Sequence, residues 1–171
     1  QGLIDYRAAG SEIIRPHHLT LLAEVHGKVG QAEKGLTALA EALAVMEGTG
    51  ERWCEAEVYR LKGELTLQEA NQKAKVEANP QSLAPNSQGE VEQEAEEYFR
   101  TAIEIARKQQ AKSLELRAVM SLSRLWQSQE KQKEAHEMLS EIYDWFTEGF
   151  DTKDLQEAKA LLKELEEKTP M

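Results

Sequence analysis

The feature that most constrains this chain is a pattern of apolar and small residues that recurs. Ala32–Met46 and Ala135–Phe146 each follow a partner segment of helical period, and a further copy lies between them. Segments too far apart to share a helix repeat a pattern when the fold itself repeats, so the spacing predicts stacked helix pairs. In the first pair Leu19, Leu22 and His26 line one face, Gly27 and Gly30 break the helix, and Leu36, Leu39, Leu43 and Met46 form the second stripe. Pro16 suits the first turn of the opening helix, with Ser11 as a competing N-cap. The second pair sets Val58, Leu61 and Leu65 against Ala95, Phe99, Ala102 and Ala106. The third sets Leu116, Val119, Leu122 and Trp126 against Ala135, Leu139, Ile142 and Phe146. Leu3–Ala9, stopped by Gly10, reads as an additional helix, and the start at Gln1 suggests a piece of a longer chain.

Two stretches stand apart from the pairs. Residues 71–89 combine Asn71, Asn79, Pro80, Ser82, Pro85, Asn86, Ser87 and Gly89 with no apolar period, which predicts a loop inserted inside the second pair. A lid anchored by Val76 and Leu83 is the sharper reading of that loop. Past the third pair, Gly149 is placed to stop a helix in a left-handed cap, with Phe150 against Trp145 and Asp151 or Thr152 capping the next helix. Leu155, Ala158, Leu161, Leu162 and Leu165 then give an end helix over 152–168 one apolar face. Lys153, Gln156, Glu157, Lys163, Glu164 and Glu167 fill its other face, as an array needs where its last pair meets water.

Charge and composition narrow the function. A net charge of −10 disfavours nonspecific attraction to nucleic acid or an anionic membrane, and no run of apolar residues is long enough for membrane insertion. The single cysteine, Cys54, forms no internal disulfide, so a reducing cytoplasm is the expected setting. No metal or cofactor site emerges. His136-Glu137 opens like a zinc-protease helix motif, but Ser140 stands where its second histidine belongs; His17, His18 and His26 lack a further ligand at suitable spacing. Cys54 beside Trp53 reads as a small core residue. Glu90, Glu92, Glu94, Glu96 and Glu97 read as charges favoured at the positive end of a helix and by solvation.

The small-then-large positions resemble the tetratricopeptide repeat: Leu22-Ala23, Gly35, Leu39 and Ala42; then Ala95, Phe99 and Ala102; then Leu122-Ser123, Ala135, Leu139 and Ile142. The resemblance implies an all-α, tetratricopeptide-like fold of antiparallel helix pairs in a right-handed superhelix with a C-terminal capping helix, about eight helices and no strand. It also implies one domain over residues 1–171, with units at about 16–49, 51–109 and 111–148. The unit spacing of 39–40 residues, Leu22 to Leu61 and Ala95 to Ala135, exceeds the usual repeat of about 34 and predicts extended helices. A narrower likeness lies in Glu51-Arg52-Trp53 with Tyr59 through Leu65, in Ala111 through Arg117, and in Trp145 through Thr152 followed by Asp154-Leu155 and Ala158 through Leu162. These strings resemble the C-terminal repeat region of large bacterial signalling proteins that join a class III adenylate or guanylate cyclase to an AAA-type ATPase. That likeness implies a tail that carries none of the parent's catalytic residues.

A stacked repeat presents a binding surface. The repeat positions project His17, Thr20 and Glu24, then Tyr59 and Gly63, then Arg117, Met120 and Arg124 onto one inner face. Tyr59, Arg117, Met120 and Arg124 form the candidate partner-binding groove, since arginine binds carboxylates bidentately and tyrosine contacts extended peptide, which makes an acidic peptide or a neighbouring domain the candidate occupant. The competing reading pairs both arginines with local acids. The expected function is a non-catalytic protein-interaction or regulatory module whose partner is a protein, a peptide or a neighbouring domain, with no nucleic acid and no membrane. The alternative is a ligand-sensing helical domain of an ATP-dependent transcription regulator.

Overall fold

Helix-forming stretches rich in Ala, Leu, Glu and Lys alternate with short breaks, and the breaks determine how the helices meet. The computed structural model describes residues 14–76 and 85–167. Among the described residues there are seven helices and no strand: α1 Arg15–Lys28, α2 Ala32–Thr49, α3 Glu55–Val76, α4 Pro85–Lys108, α5 Lys112–Ser128, α6 Gln132–Tyr143 and α7 Lys153–Glu167. The helix expected over Leu3–Ala9 lies outside the described residues. Where the sequence suggested one array, the chain forms two compact units, residues 1–98 and 99–171, with the boundary inside α4.

Three of the breaks are the same turn. After α1, the Gln31 amide donates to His26 O at 2.8 Å and the Gly30 amide to Gly27 O at 3.0 Å. This is the paired main-chain closure of a helix end whose last residue is left-handed. After α4, Ala111 donates to Ala106 O and Gln110 to Arg107 O; after α5, Lys131 donates to Trp126 O and Glu130 to Gln127 O. The carbonyl of the same turn residue then opens the next helix, accepting from Gly35, Glu115 and Ala135 in turn. The middle residue is left-handed each time: Gly30 at φ 75°, Gln110 at 56° and Glu130 at 61°. No side chain caps the start of α1, α2, α5 or α6.

The turns fold each unit into the same three-helix arrangement. In the first unit Arg15 at the start of α1 pairs with Glu41 midway along α2, while a Cβ at Gly35 near the start of α2 would lie 3.1 Å from Ala23 O further along α1, so α1 and α2 are antiparallel. His17 packs on Trp53 at 5.0 Å just before α3, and the far end of α1 receives Gln68 Nε2 on Gly27 O at 2.8 Å, so α1 and α3 are parallel. In the second unit Ser123 Oγ reaches Ala135 O at 3.3 Å and His136 meets Glu166 at 3.3 Å, which places α6 antiparallel to α5 and to α7. Arg117 to Asp154 and Arg124 to Glu157 set α5 parallel to α7.

The two arrangements superpose in sequence at a constant offset of 100 residues. Leu19 and Val119, Ala23 and Ser123, Leu39 and Leu139, Ala42 and Ile142, Val58 and Ala158, Leu61 and Leu161, and Leu65 and Leu165 are all buried. The left-handed residues Gly30 and Glu130 obey the same offset. In the first unit, Leu65 explains two glycines. A Cβ at Gly27 would stand 2.7 Å from Leu65 Cδ2, and one at Gly35 would stand 2.6 Å from Leu65 Cδ1, so the leucine fills the space between α1 and α2. Gly27 therefore sits inside α1 as a packing position; the helix ends at Lys28, where Gly30 turns the chain.

Other expectations change. Residues 71–76 continue α3 and 85–89 belong to α4, so the loop expected over 71–89 is absent from both of these stretches; residues 77–84, and the lid reading with them, lie outside the described residues. Asn71 is followed by helix-tolerant Gln, Lys and Ala, Glu69 and Lys73 pair at 2.8 Å one turn apart, and proline suits a first helical turn. Because α4 starts at Pro85, its first turn holds no acid, and Glu90 through Glu97 lie beyond the reach of the helix dipole. Gly149 is left-handed at φ 78° but stands well past the end of α6 at Tyr143. Phe150 packs on Tyr143 at 5.8 Å while Trp145 meets Phe146 at 5.1 Å, and the Thr152 hydroxyl donates to Gly149 O. The end helix α7 is present at Lys153–Glu167 and buries Leu155, Ala158, Leu161 and Leu165.

The left-handed turns predict an asymmetric response to substitution. Changing Gln110 or Glu130 to glycine relieves a conformation that L-residues rarely adopt and should raise stability by about 0.5–1 kcal/mol, whereas Gly30→Ala should lower it by a similar amount. Urea denaturation of the three variants checks the signs. In the core, Leu65→Ala and Leu165→Ala should each cost about 2–5 kcal/mol, read from the same denaturation curves, because each empties the centre of its three-helix unit.

Candidate interaction site

The four residues selected from the sequence do not share one environment. Tyr59 is half-buried on α3, its ring 6.3 Å from that of Tyr98. Lys62 Nζ lies 4.3 Å from the Tyr98 ring centre. Burial, followed by its hydrogen bond to Glu94, pushes the Tyr98 phenol up to about 12. Met120, on α5, is 3% exposed, and its counterpart Thr20, on α1, is likewise buried, its hydroxyl turned back onto Pro16 O at 2.7 Å. Met120 and Thr20 thus line no open surface. Gly63 is buried, and Glu24 pairs with Lys28 at 2.7 Å.

Arg117 and Arg124 do face outward, and both meet acids on α7. Arg117 Nε donates to Asp154 Oδ2 at 2.7 Å, and Arg124 lies 3.3 Å from Glu157 Oε2. These partners come from a helix more than thirty residues away in sequence. Next to the second pair is an open cavity of about 340 Å³ lined by Arg124, Gln127, Glu157, Ala160, Leu161 and Glu164. The end helix therefore turns Glu157 and Glu164 toward α5, where the sequence suggested a purely solvated face.

The offset of 100 residues explains why that space is open. At the equivalent place in the first unit Arg60 replaces Ala160, and its guanidinium binds Glu57 at 2.7 Å and Glu64 at 2.6 Å, the counterparts of Glu157 and Glu164. Burial opposes the charge on Arg60, but the two carboxylates more than offset it and hold the guanidinium protonated. In the second unit the acids remain and the arginine has moved to α5, where Glu24 of the first unit becomes Arg124. From there Arg124 reaches Glu157, and Glu164 has no ion pair among the described residues. The Nε2 of Gln127 is buried without a hydrogen-bond partner among the described residues.

Glu115 is the buried charge of this unit. It accepts from Arg107 Nε at 2.7 Å and from Lys112 Nζ at 2.7 Å, clamping the end of α4 to α5. Burial disfavours its ionisation, yet the two cationic donors win and hold the carboxyl below the ordinary glutamate range. The other chemistry-bearing residues are occupied structurally. Burial pushes the Cys54 thiol up, only partly offset by Thr20, which makes it a poorer nucleophile. His136 contacts Ser140 and Glu166, and His26 meets Gln31 at 3.1 Å. Trp126 is flanked by Arg100 at 5.3 Å and Lys131 at 6.0 Å. None of the helices among the described residues is long and apolar enough to cross a membrane. Comparison with family models, curated proteins and solved structures finds no match.

The lowered Glu115 carboxyl fixes a sign for pH dependence. A depressed folded value contributes stability that is present above the unfolded glutamate range and disappears as pH falls through the folded value. Glu115→Gln should therefore lose about 1–2 kcal/mol at neutral pH, the scale of charge-assisted hydrogen bonds. The gap to wild type should close as the medium is acidified below the ordinary glutamate range. Denaturation midpoints of both proteins across that range measure it.

Proposed function

We propose that this chain is a non-catalytic protein-interaction module, and that its α5–α7 furrow receives a basic side chain of a protein or peptide partner. The observation that carries this reading is the space beside Ala160: the first unit fills the equivalent place with the guanidinium of Arg60, while the second keeps both carboxylates and leaves the place open. An arginine entering from a partner would meet Glu164 and Glu157 as Arg60 meets Glu64 and Glu57, with Leu161 and Ala160 against its methylene stem. Arg124 would give way and turn to solvent, which costs little because its pair with Glu157 is half-exposed. The sequence likeness to the tails of cyclase and ATPase fusions supports a regulatory setting, with a neighbouring domain of the same polypeptide as one source of that side chain.

The decisive variant is Ala160→Arg. It places on α7 the residue that the first unit already tolerates, so folding should be kept or slightly strengthened while the furrow is filled. An arginine-containing peptide titrated into the labelled protein should shift the amides of residues 157–164, and its citrulline counterpart should shift them at least tenfold less. Ala160→Arg should abolish the response. Equal response to the two peptides, or binding that survives in Ala160→Arg, would reject the furrow as the site.

A further inference from the structure

The α1 helix is apolar on two sides. One side buries Pro16, Leu19, Thr20 and Ala23 within the first unit. On the other, Leu21 is 46% exposed, Leu22 38%, Val25 55% and Val29, just past the helix end, 62%. At 3.6 residues per turn these four share a sector of about 100° on the side away from Ala23, so they form a continuous strip. A helix that is apolar all round belongs inside an assembly. The equivalent sector of α5 shows what such a face accepts. There Leu122 at 0% and Leu125 at 5% are covered, and the 99–108 stretch of α4 runs antiparallel alongside, with Arg107 on Glu115 and Arg100 on Trp126.

We infer that the strip is covered by the α1 helix of a second copy of this chain, the two helices antiparallel about a two-fold axis at Val25. Charge favours this occupant. The chain carries 31 acids and a net charge of −10, but α1 holds one acid, Glu24, beside Arg15 and Lys28, so two copies repel each other least when they meet here. The borders of the strip are also self-complementary. Glu24 and Lys28 stand one turn apart along one border, paired at 2.7 Å. A two-fold axis at Val25 sets Val25 against itself and Leu21 against Val29 of the second copy, and it keeps that same border of both helices together. Glu24 then lies about two residues, or about 3 Å along the axis, from the level of Lys28 of the second copy, and symmetry repeats the contact. The exposed ions fix orientation and register, while the leucines and valines supply the affinity. Two helices of this length make a contact at the small end of protein interfaces, below about 1,200 Å², so the dimer is a weak one. The surface rests on α1 alone and stands whether or not the α5–α7 furrow binds a partner.

The test uses the 171-residue chain. Sedimentation velocity over a series reaching the millimolar range should show a monomer–dimer equilibrium. Val25→Asp should weaken association at least tenfold with the urea midpoint unchanged, because the position is exposed. Glu24→Lys and Lys28→Glu should each weaken it at least threefold, and the two together should restore it, since the exchange keeps the border self-complementary. With Cys54→Ala, which removes the only thiol, Val25→Cys should form a disulfide-linked dimer on mild oxidation at least tenfold faster than Ala40→Cys, whose site is exposed on α2. A monomer at every concentration overturns the inference, and a lowered urea midpoint in Val25→Asp would then give the strip to another part of the same chain. A dimer that survives Val25→Asp overturns it as well, and failure of the double exchange to restore association overturns the antiparallel pairing.

Discussion

The left-handed turn that links helices in three places is the constraint on which the rest of the structure depends. Its hydrogen bonds are made by main chain alone: one amide reaches back five residues and the next carbonyl opens the following helix. Sequence is therefore nearly free at these points, and Gly-Gln, Gln-Ala and Glu-Lys all build the same link. Geometry is not free. Once two helices leave such a turn, small residues at their first crossing decide how closely they approach, which is why Ala23 with Gly35 and Ser123 with Ala135 recur. Two of the three turns hold a non-glycine residue at positive φ, and the packed helices on either side keep it there.

Repetition of one three-helix plan with different charges is what creates distinct surfaces. Moving the arginine from α3 in the first unit to α5 in the second preserves an ion pair between charged neighbours while emptying the space that Arg60 fills. Both arrangements are compatible with folding: the largely buried Arg60 is matched by two carboxylates, the half-exposed Arg124–Glu157 pair contributes little to stability, and the leucines beneath them are unchanged. A surface that costs so little to alter can diverge while the core keeps its pattern. The same logic separates α1 from α5: equivalent positions carry apolar side chains on both, but a preceding helix accompanies only α5 among the described residues.

Much of the helical plan was legible in the sequence. The stripes Val58, Leu61 and Leu65, Ala95 through Ala106, Leu116 through Trp126, and Ala135 through Ile142 are buried, because a period of 3.6 is imposed on any helix that covers one face. Composition misleads where local helix chemistry outweighs it. Asn71 and Gly89 suggested a loop, yet both lie in helices, since neighbouring turns supply compatible residues and a single unfavourable one is tolerated. Gly149 suggested a helix stop by its identity, but the helix had already ended at Tyr143.

The candidate site was legible only in part. Helical position assigned Arg117, Met120 and Arg124 to one inner face, whereas the two arginines lie half-exposed against acids of α7 and Met120 is buried, because three neighbouring helices rather than one determine which angular sector stays open. Glu157 and Glu164 fall by period on the polar face of the end helix, and nothing local distinguishes an acid facing water from one facing an arginine on another helix. The exchange of Arg60 for Ala160 shows in the sequence only at an offset of 100 residues, the length of the three-helix plan, and not at the 39–40-residue spacing of the helix pairs. Sequence by itself determined most of the helices, the buried stripes of α3 to α6 as far as Ile142 and the glycine at position 30 that turns α1, because these depend on period and backbone conformation, whereas Leu22 of the α1 stripe is exposed and Phe146 lies beyond the end of α6. Tertiary structure alone decided which acids meet which arginines and where a counterpart side chain is missing, because those depend on parallel helices brought side by side from distant parts of the chain.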